Sequence, residues 1–267
     1  MARHRRDTYY WRAKAEGYRS RAAYKLQQIN KKFNVIREDS DVVDLGAAPG
    51  GWLEVARELT KRKVVGVDIL RIKPMDRITI IRGDITREET ANQIKEAVGE
   101  EGADTVICDA APNLSGNWNL DHARSIALAE SALECATRIL KPQGNFVVKV
   151  FQGDMFKEYL DKVRGEFTYV RAHSPEASRS ESAEIYVVGK KFLTAPIRKG
   201  EEYDVVIERI GSGGDGTAFV EGFVVFICDT EKGERVRIKV RDVKPNFAFA
   251  DVIQRLESPE EKEEEEK

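Results

Sequence analysis

Hydrophobic and polar positions follow two different textures along this chain, and the change comes near residue 190. Before it, short apolar runs alternate with stretches of helical period. The strand-like runs fall at 41–45, 63–68, 77–82, 104–108, 145–150, 167–172 and 183–189. Apolar residues recurring every three to four positions predict helices over 51–60, 86–98, 120–140 and 154–164. An earlier helix is predicted from Ser20, whose hydroxyl suits a cap, to about Phe33, with Ala22, Leu26, Ile29 and Phe33 on one face. Lys141-Pro142-Gln143-Gly144 stops the long alanine-rich helix. Continuous apolar strands separated by helices predict an α/β fold with a mostly parallel sheet covered on both faces. Ligands of such sheets bind beyond the carboxyl ends of the strands.

After Lys190 the helical period disappears. Residues 191–200 read as a linker. Strand-like runs then fall at 203–210, 218–227, 235–243 and 249–254, with a glycine-rich turn over 211–216. Strands and turns over 201–256 predict a small β-barrel. Its phenylalanines Phe219, Phe223, Phe226, Phe247 and Phe249 are assigned mostly to the core, with a stacking surface as the alternative. Residues 257–267 are a like-charge run, expected to be a disordered acidic tail.

Charge sharpens this picture once it is divided along the chain. The formal net charge of -2 includes a tail with seven Glu and two Lys, so the other residues carry +3. Much of that sits at the amino terminus, where residues 1–25 hold eight Arg or Lys against Asp7 and Glu16. Basic residues interleaved with Tyr9, Tyr10, Trp11 and Tyr18 make residues 1–19 either an RNA-facing arm or a segment whose rings pack on the domain. The 267 residues suit one α/β domain and a smaller second one. Cys108, Cys135 and Cys228 have no metal-binding spacing, lie in apolar stretches and are expected as buried free thiols. With no apolar run of membrane-spanning length and no signal peptide, a cytoplasmic protein with no membrane or metal partner, and a monomer, is expected.

The candidate chemistry begins in DVVDLGAAPGGW, residues 41–52. An apolar strand breaks into a glycine-rich loop, and a helix follows. Such a loop brings a ligand close to the backbone, and the helix offers unpaired N–H groups at its start. Pro49 interrupts the glycine spacing that a pyrophosphate needs, so a smaller polar group such as an amino-acid moiety fits better. The next strand ends in Asp68, placed either to hold both hydroxyls of a ribose or to cap a turn. Asp84 follows a third strand, as acceptor for an adenine amine or as a helix cap. Asp109 follows a fourth in DAAPN. Strand-end acids around a glycine-rich loop describe a nucleoside with an amino-acid arm, which is S-adenosylmethionine.

Taken in order, GAAPGGW, VVGVD, RGD, DAAPN, NFVVKVF and SAEIYVVG resemble the RlmE/FtsJ family of 2'-O-ribose RNA methyltransferases over residues 8–190. The resemblance implies a Rossmann-like methyltransferase sheet of seven strands whose last strand is antiparallel, with S-adenosylmethionine as cofactor. It places a catalytic set on Lys25, Asp109, Lys149 and Glu184, and cofactor contacts on Gly50, Trp52, Asp68, Asp84 and Asp109. Only the resemblance singles out Lys25, since a lone helix lysine is ordinarily solvated. Lys149 is implied as the proton acceptor. The implied substrate is a uridine of large-subunit 23S rRNA, with rRNA in the large ribosomal subunit as partner. A tRNA anticodon loop is the alternative substrate, and a non-catalytic RNA-binding assembly factor the alternative function. Residues 201–256 resemble a TRAM domain, an OB-like barrel found on RNA-modifying enzymes, in a combination similar to archaeal proteins. The implied organisation is a basic arm (1–19), a methyltransferase domain (20–190), a linker (191–200), a TRAM domain (201–256) and a tail (257–267).

Overall fold

The structure, a computed structural model, describes residues 8–179, 182–211, 213–244 and 246–256. The acidic tail and the first residues of the basic arm lie outside the described residues. The chain divides into two compact units, at Phe192 and Leu193.

The first unit is built on seven strands: β1 (Val42–Leu45), β2 (Val64–Asp68), β3 (Thr79–Arg82), β4 (Ala103–Cys108), β5 (Leu140–Phe151), β6 (Phe167–His173) and β7 (Glu184–Phe192). Their order across the sheet is β3-β2-β1-β4-β5-β7-β6. All neighbours are parallel except those of β7, which runs antiparallel to both β5 and β6. The expected seven-stranded Rossmann-like sheet is therefore present. Alternate strand residues feed two cores. Val43, Leu45, Val106, Val148 and Val150 pack against α4 (Glu88–Val98), α5 (Trp118–Ile139) and α6 (Phe156–Glu166). Val42, Ile107, Val147, Tyr186 and Val188 face α2 (Ala23–Phe33) and α3 (Gly51–Leu59). Both faces are covered, which is why β1 and β2 are buried along their whole length.

Residues Thr8–Glu16 form helix α1. Tyr9 and Tyr18 pack around Tyr24, Ala13 and Ala177, whereas Tyr10 and Trp11 stay exposed. Ser20 does not cap α2 with its side chain: the helix starts at Ala23 with Ala22 at the cap and no side-chain bond there. The Ser20 hydroxyl lies instead against the start of α3, where a Cβ on Gly51 would come within 2.1 Å of it.

The second unit is a curled six-stranded sheet, β8 (Glu202–Val206), β9 (Arg209–Ile210), β10 (Gly216–Val220), β11 (Phe223–Ile227), β12 (Arg235–Val243) and β13 (Phe247–Leu256), ordered β8-β12-β13-β11-β10-β9. The run expected as one strand over 218–227 is a hairpin. Glu221 and Gly222 both take positive φ, and the chain turns back there. The stretch expected as a linker is not free: Phe192 ends β7, and Leu193, Ala195 and Ile197 are buried in the second unit's core. Cys108 and Cys135 are buried, but Cys228 is exposed, because it falls just past the end of β11.

Candidate active site

Three strand ends and one helix bring four candidate residues together. Lys149 lies near the end of β5 and pairs in register with Tyr186 of β7. Glu184 opens β7, and Asp109 is the first residue after β4. Lys25 arrives from the first turns of α2 and is buried with Lys149, each 7% exposed. The Lys149 ammonium donates to the Asp109 backbone carbonyl at 2.7 Å and sits 3.0 Å from the Asp109 carboxylate and 3.6 Å from Glu184. The other Glu184 oxygen takes the Lys25 ammonium at 2.6 Å. One carboxylate thus joins two buried ammonium groups, an arrangement that costs heavily unless every charge is paired.

These pairings set the protonation of the cluster. Burial would lower the Lys149 pKa, but the charges of Asp109 and Glu184 outweigh it and hold the pKa above the ordinary lysine value. Burial would raise Glu184, yet Lys149 and Lys25 keep it below the usual carboxylate range.

The glycine-rich loop sits beside this cluster. Gly46 takes φ +70°, and a Cβ there would come 2.4 Å from that of Ala110, next to Asp109. Both loop edges are thereby brought into contact. Asp68 ends β2, and its carboxylate accepts from the N–H groups of Ala48 and Leu70. Asp44, in β1, is buried, and among the described residues neither of its carboxylate oxygens has a hydrogen-bond partner. Burial, then the nearby charges of Asp109 and Asp68, push its pKa well above the usual range. Asp84 is exposed and closes a local turn with Thr86, whose hydrogen bonds lower its pKa. Gly50 precedes α3 at φ +112°. Trp52 is buried, with its indole N–H on the Ala22 carbonyl and its ring tilted against Tyr186 at 5.8 Å. Its side chain joins α2 to α3; only its backbone, in the first turn of α3, is placed to meet a ligand. Among the described residues no group of three or more His, Cys, Asp or Glu is arranged to hold a metal ion, and no helix is long and apolar enough to cross a membrane.

Comparison with known proteins accounts for both units. The family of FtsJ-like methyltransferases matches residues 18–192, and the TRAM domain matches residues 196–253. The chain belongs to the FtsJ-like methyltransferase family. A protein of Methanosarcina acetivorans named ribosomal RNA large subunit methyltransferase E is 65% identical over 263 residues, covering 98% of this chain and 97% of that one. The protein of the same name from Methanococcoides burtonii is 68% identical and covers 96% and 97%. A crystal structure of a ribosomal RNA methyltransferase from Plasmodium falciparum aligns with a TM-score of 0.59 at 27% identity, over 66% of this chain and 98% of that one.

For this FtsJ-like enzyme, then, the structure brings together Lys25, Asp109, Lys149 and Glu184, with Gly50 on the adjoining loop and Asp68, at the end of β2, bonded to that loop through the Ala48 N–H. Asp84 lies on the surface at the sheet edge. Two residues of the site escaped the sequence reading. Tyr186 is buried and donates its hydroxyl to the Asp109 carboxylate at 2.7 Å. The signal for it was present: it lies two residues after Glu184 on a strand and so shares its face. Asp44 reads as an ordinary strand-end acid, and nothing local shows that it lacks a partner. The TRAM unit also departs from expectation. Of its five phenylalanines only Phe223 packs against the core. Ala218, Val225, Ile227, Ala248 and Ala250 take the inward positions, so the alternate residues Phe226, Phe247 and Phe249 form an outer cluster with ring centres 5.4–6.1 Å apart.

Proposed function

We propose that the protein transfers a methyl group from S-adenosylmethionine to the 2'-oxygen of a uridine in large-subunit ribosomal RNA. The observation that carries this reading is the buried cluster in which Glu184 links Lys25 to Lys149 while Asp109 and Tyr186 flank it. A 2'-hydroxyl is a weak acid and needs a positioned group to take its proton; a carboxylate–lysine cluster supplies one. The names of the archaeal relatives and of the Plasmodium falciparum structure point to ribosomal RNA as the substrate, and the TRAM domain suits an enzyme that must grip RNA.

The residues present fit the cofactor. Asp44 is a buried carboxylate without a partner, and its oxygens suit the ammonium of an amino-acid moiety. Asp68 would hold the ribose hydroxyls, the Gly46–Gly51 backbone the amino-acid arm, and Asp84 the adenine. When bound, S-adenosylmethionine supplies a methyl group on a positively charged sulfur.

This chain's own residues do the rest. Lys149 holds the 2'-oxygen and, in its neutral form, accepts the hydroxyl proton. Asp109 and Glu184 orient the Lys149 amine, and Lys25 keeps Glu184 ionised. Tyr186 fixes the Asp109 carboxylate. Alignment of this kind contributes roughly 7–11 kcal/mol in favourable cases. Single-turnover transfer of labelled methyl to large-subunit rRNA, followed by mapping of 2'-O-methyl positions, tests the proposal. Lys149→Ala is expected to lose at least about a hundredfold in rate. A near-normal rate would remove Lys149 from its role, and methylation of tRNA in place of rRNA would overturn the substrate.

A further inference from the structure

We infer that Trp118 is a stacking platform for a base of the RNA substrate, at the mouth of the Lys149 site. The inference rests on the proposed RNA methyl transfer. The loop that leaves β4 after Asp109 ends at Asn117, and Trp118 is the first residue of α5. Its indole is 50% exposed. It lies nearly parallel to two rings, His122 at 5.9 Å and 12° and Phe151 at 6.1 Å and 15°. Phe151 ends β5, two residues beyond Lys149, and pairs in register with Glu184. The chain of contact therefore runs from the catalytic strand, through Phe151, to an open indole.

The indole is held by its surroundings. The buried Asp121 carboxylate accepts from the Ser115 N–H, the Ser115 hydroxyl and the Gly116 N–H. The Asn117 side chain caps α5 by accepting from the Leu120 N–H. From the other side, the Met155 N–H donates to His122 Nε2, which ties the loop after β5 to the same stack. Leu114 and Leu120, close in sequence, and Met155, bonded to His122, are exposed as well. A fixed aromatic surface in an apolar patch, left open to solvent, marks a binding face.

The occupant is argued from position and shape. The patch lies at the carboxyl ends of β4 and β5, the strands that position Asp109 and Lys149, so an RNA that presents its ribose to Lys149 would lie alongside it. A flat, half-open indole backed by two rings suits the face of a nucleobase, and stacking tolerates any base because every base has a π-face. The platform would seat a base beside the reacting nucleotide and so add to the affinity for the RNA, leaving alignment of the 2'-hydroxyl to the Lys149 cluster.

The test uses the full-length protein with its cognate large-subunit rRNA made by transcription. Trp118→Ala is expected to raise KM for rRNA roughly ten- to a hundredfold, with single-turnover rate at saturating RNA changed less than about threefold and affinity for S-adenosylmethionine unchanged. Trp118→Phe is expected to restore most of the loss. Indole emission should be quenched on adding rRNA to the wild type and much less so in Trp118→Phe. Wild-type protein that transfers no methyl either to the rRNA or to large ribosomal subunits carrying unmethylated rRNA would refute the function itself. Active wild type with an unchanged KM in Trp118→Ala would refute only the platform. A defect confined to ribosomal subunits, with naked rRNA unaffected, would assign the patch to a ribosomal protein and equally overturn the inference.

Discussion

The proposed reaction asks Lys149 to take a proton while the two carboxylates beside it favour the state in which it already holds one. The acids win in the free protein, since its pKa lies above the ordinary lysine value. At neutral pH the neutral amine is then the minor form, and each unit of pH below the pKa cuts it about tenfold. The single-turnover rate is accordingly expected to rise about tenfold per pH unit from pH 7 to 9, when chemistry is limiting. A flat profile across that range would show that Lys149 orients the hydroxyl without accepting its proton. Asp44 presents the opposite case. Its folded pKa lies above the unfolded one, so it favours folding most below the unfolded value and becomes a burden as pH rises toward the folded value. Asp44→Asn removes a carboxyl whose ionisation opposes folding, so the cofactor-free variant should gain stability relative to the wild type as pH rises above the usual carboxylate range. The same change should weaken S-adenosylmethionine binding. Denaturant unfolding and calorimetry on one preparation read both; loss of stability together with unchanged cofactor affinity would rule out the assigned role.

At the scale of elements, the loop after β1 and the loop after β4 act as one device because Gly46 lets them meet. Its φ of +70° and the 2.4 Å separation from the Ala110 Cβ make Gly46→Ala doubly unfavourable. Backbone strain alone costs roughly 1–3 kcal/mol. The substitution should lower the unfolding midpoint and weaken cofactor binding together, and an alanine variant with wild-type affinity would show that the loops meet for packing alone. The strands that carry these loops were legible in the sequence for a physical reason. Burial on both faces leaves β1, β2, β4 and the second half of β5 with almost unbroken apolar runs, and Asp44, Asp68 and Asp109 stand out at or just past the ends of the first three, Lys149 near that of β5. The second unit was harder to read. Phe219-Val220-Glu221-Gly222-Phe223-Val224 is apolar on both sides of its turn, and only the positive φ of Glu221 and Gly222 reveals the hairpin. Lys25 was legible only through family resemblance, since its partner Glu184 is 159 positions away and no local pattern records a pairing across that distance.

At the scale of the whole molecule, the proposed chemistry and the proposed grip on RNA fall on two units, each with its own core. The first unit holds every residue of the methyl-transfer cluster. Among the described residues the TRAM unit offers no comparable buried cluster of charge; an outward feature is the triad Phe226, Phe247 and Phe249. Arg241 lies 5.9 Å from the Phe249 ring and pairs with Asp251 at 2.9 Å. Arg209 likewise lies 5.5 Å from the Phe219 ring. Rings beside guanidinium groups suit single-stranded RNA, where bases stack and phosphates meet positive charge. The division predicts separable losses. Truncation after Phe192 should leave affinity for S-adenosylmethionine within about twofold, because no proposed cofactor contact lies beyond that point. Affinity for rRNA should fall by more than tenfold, since loss of even one stacked base removes about 1–3 kcal/mol. Phe226→Ala with Phe249→Ala in the full chain should reproduce much of that fall. Those substitutions leave the inward residues Val225, Ile227, Ala248 and Ala250 in place, so the unit's thermal midpoint should change little. Filter binding with rRNA at two salt concentrations, beside calorimetry with S-adenosylmethionine, separates the two affinities. Equal rRNA affinity for the full chain, the truncation and the double variant would mean that the outer phenylalanines serve folding alone and that the first unit grips the RNA by itself.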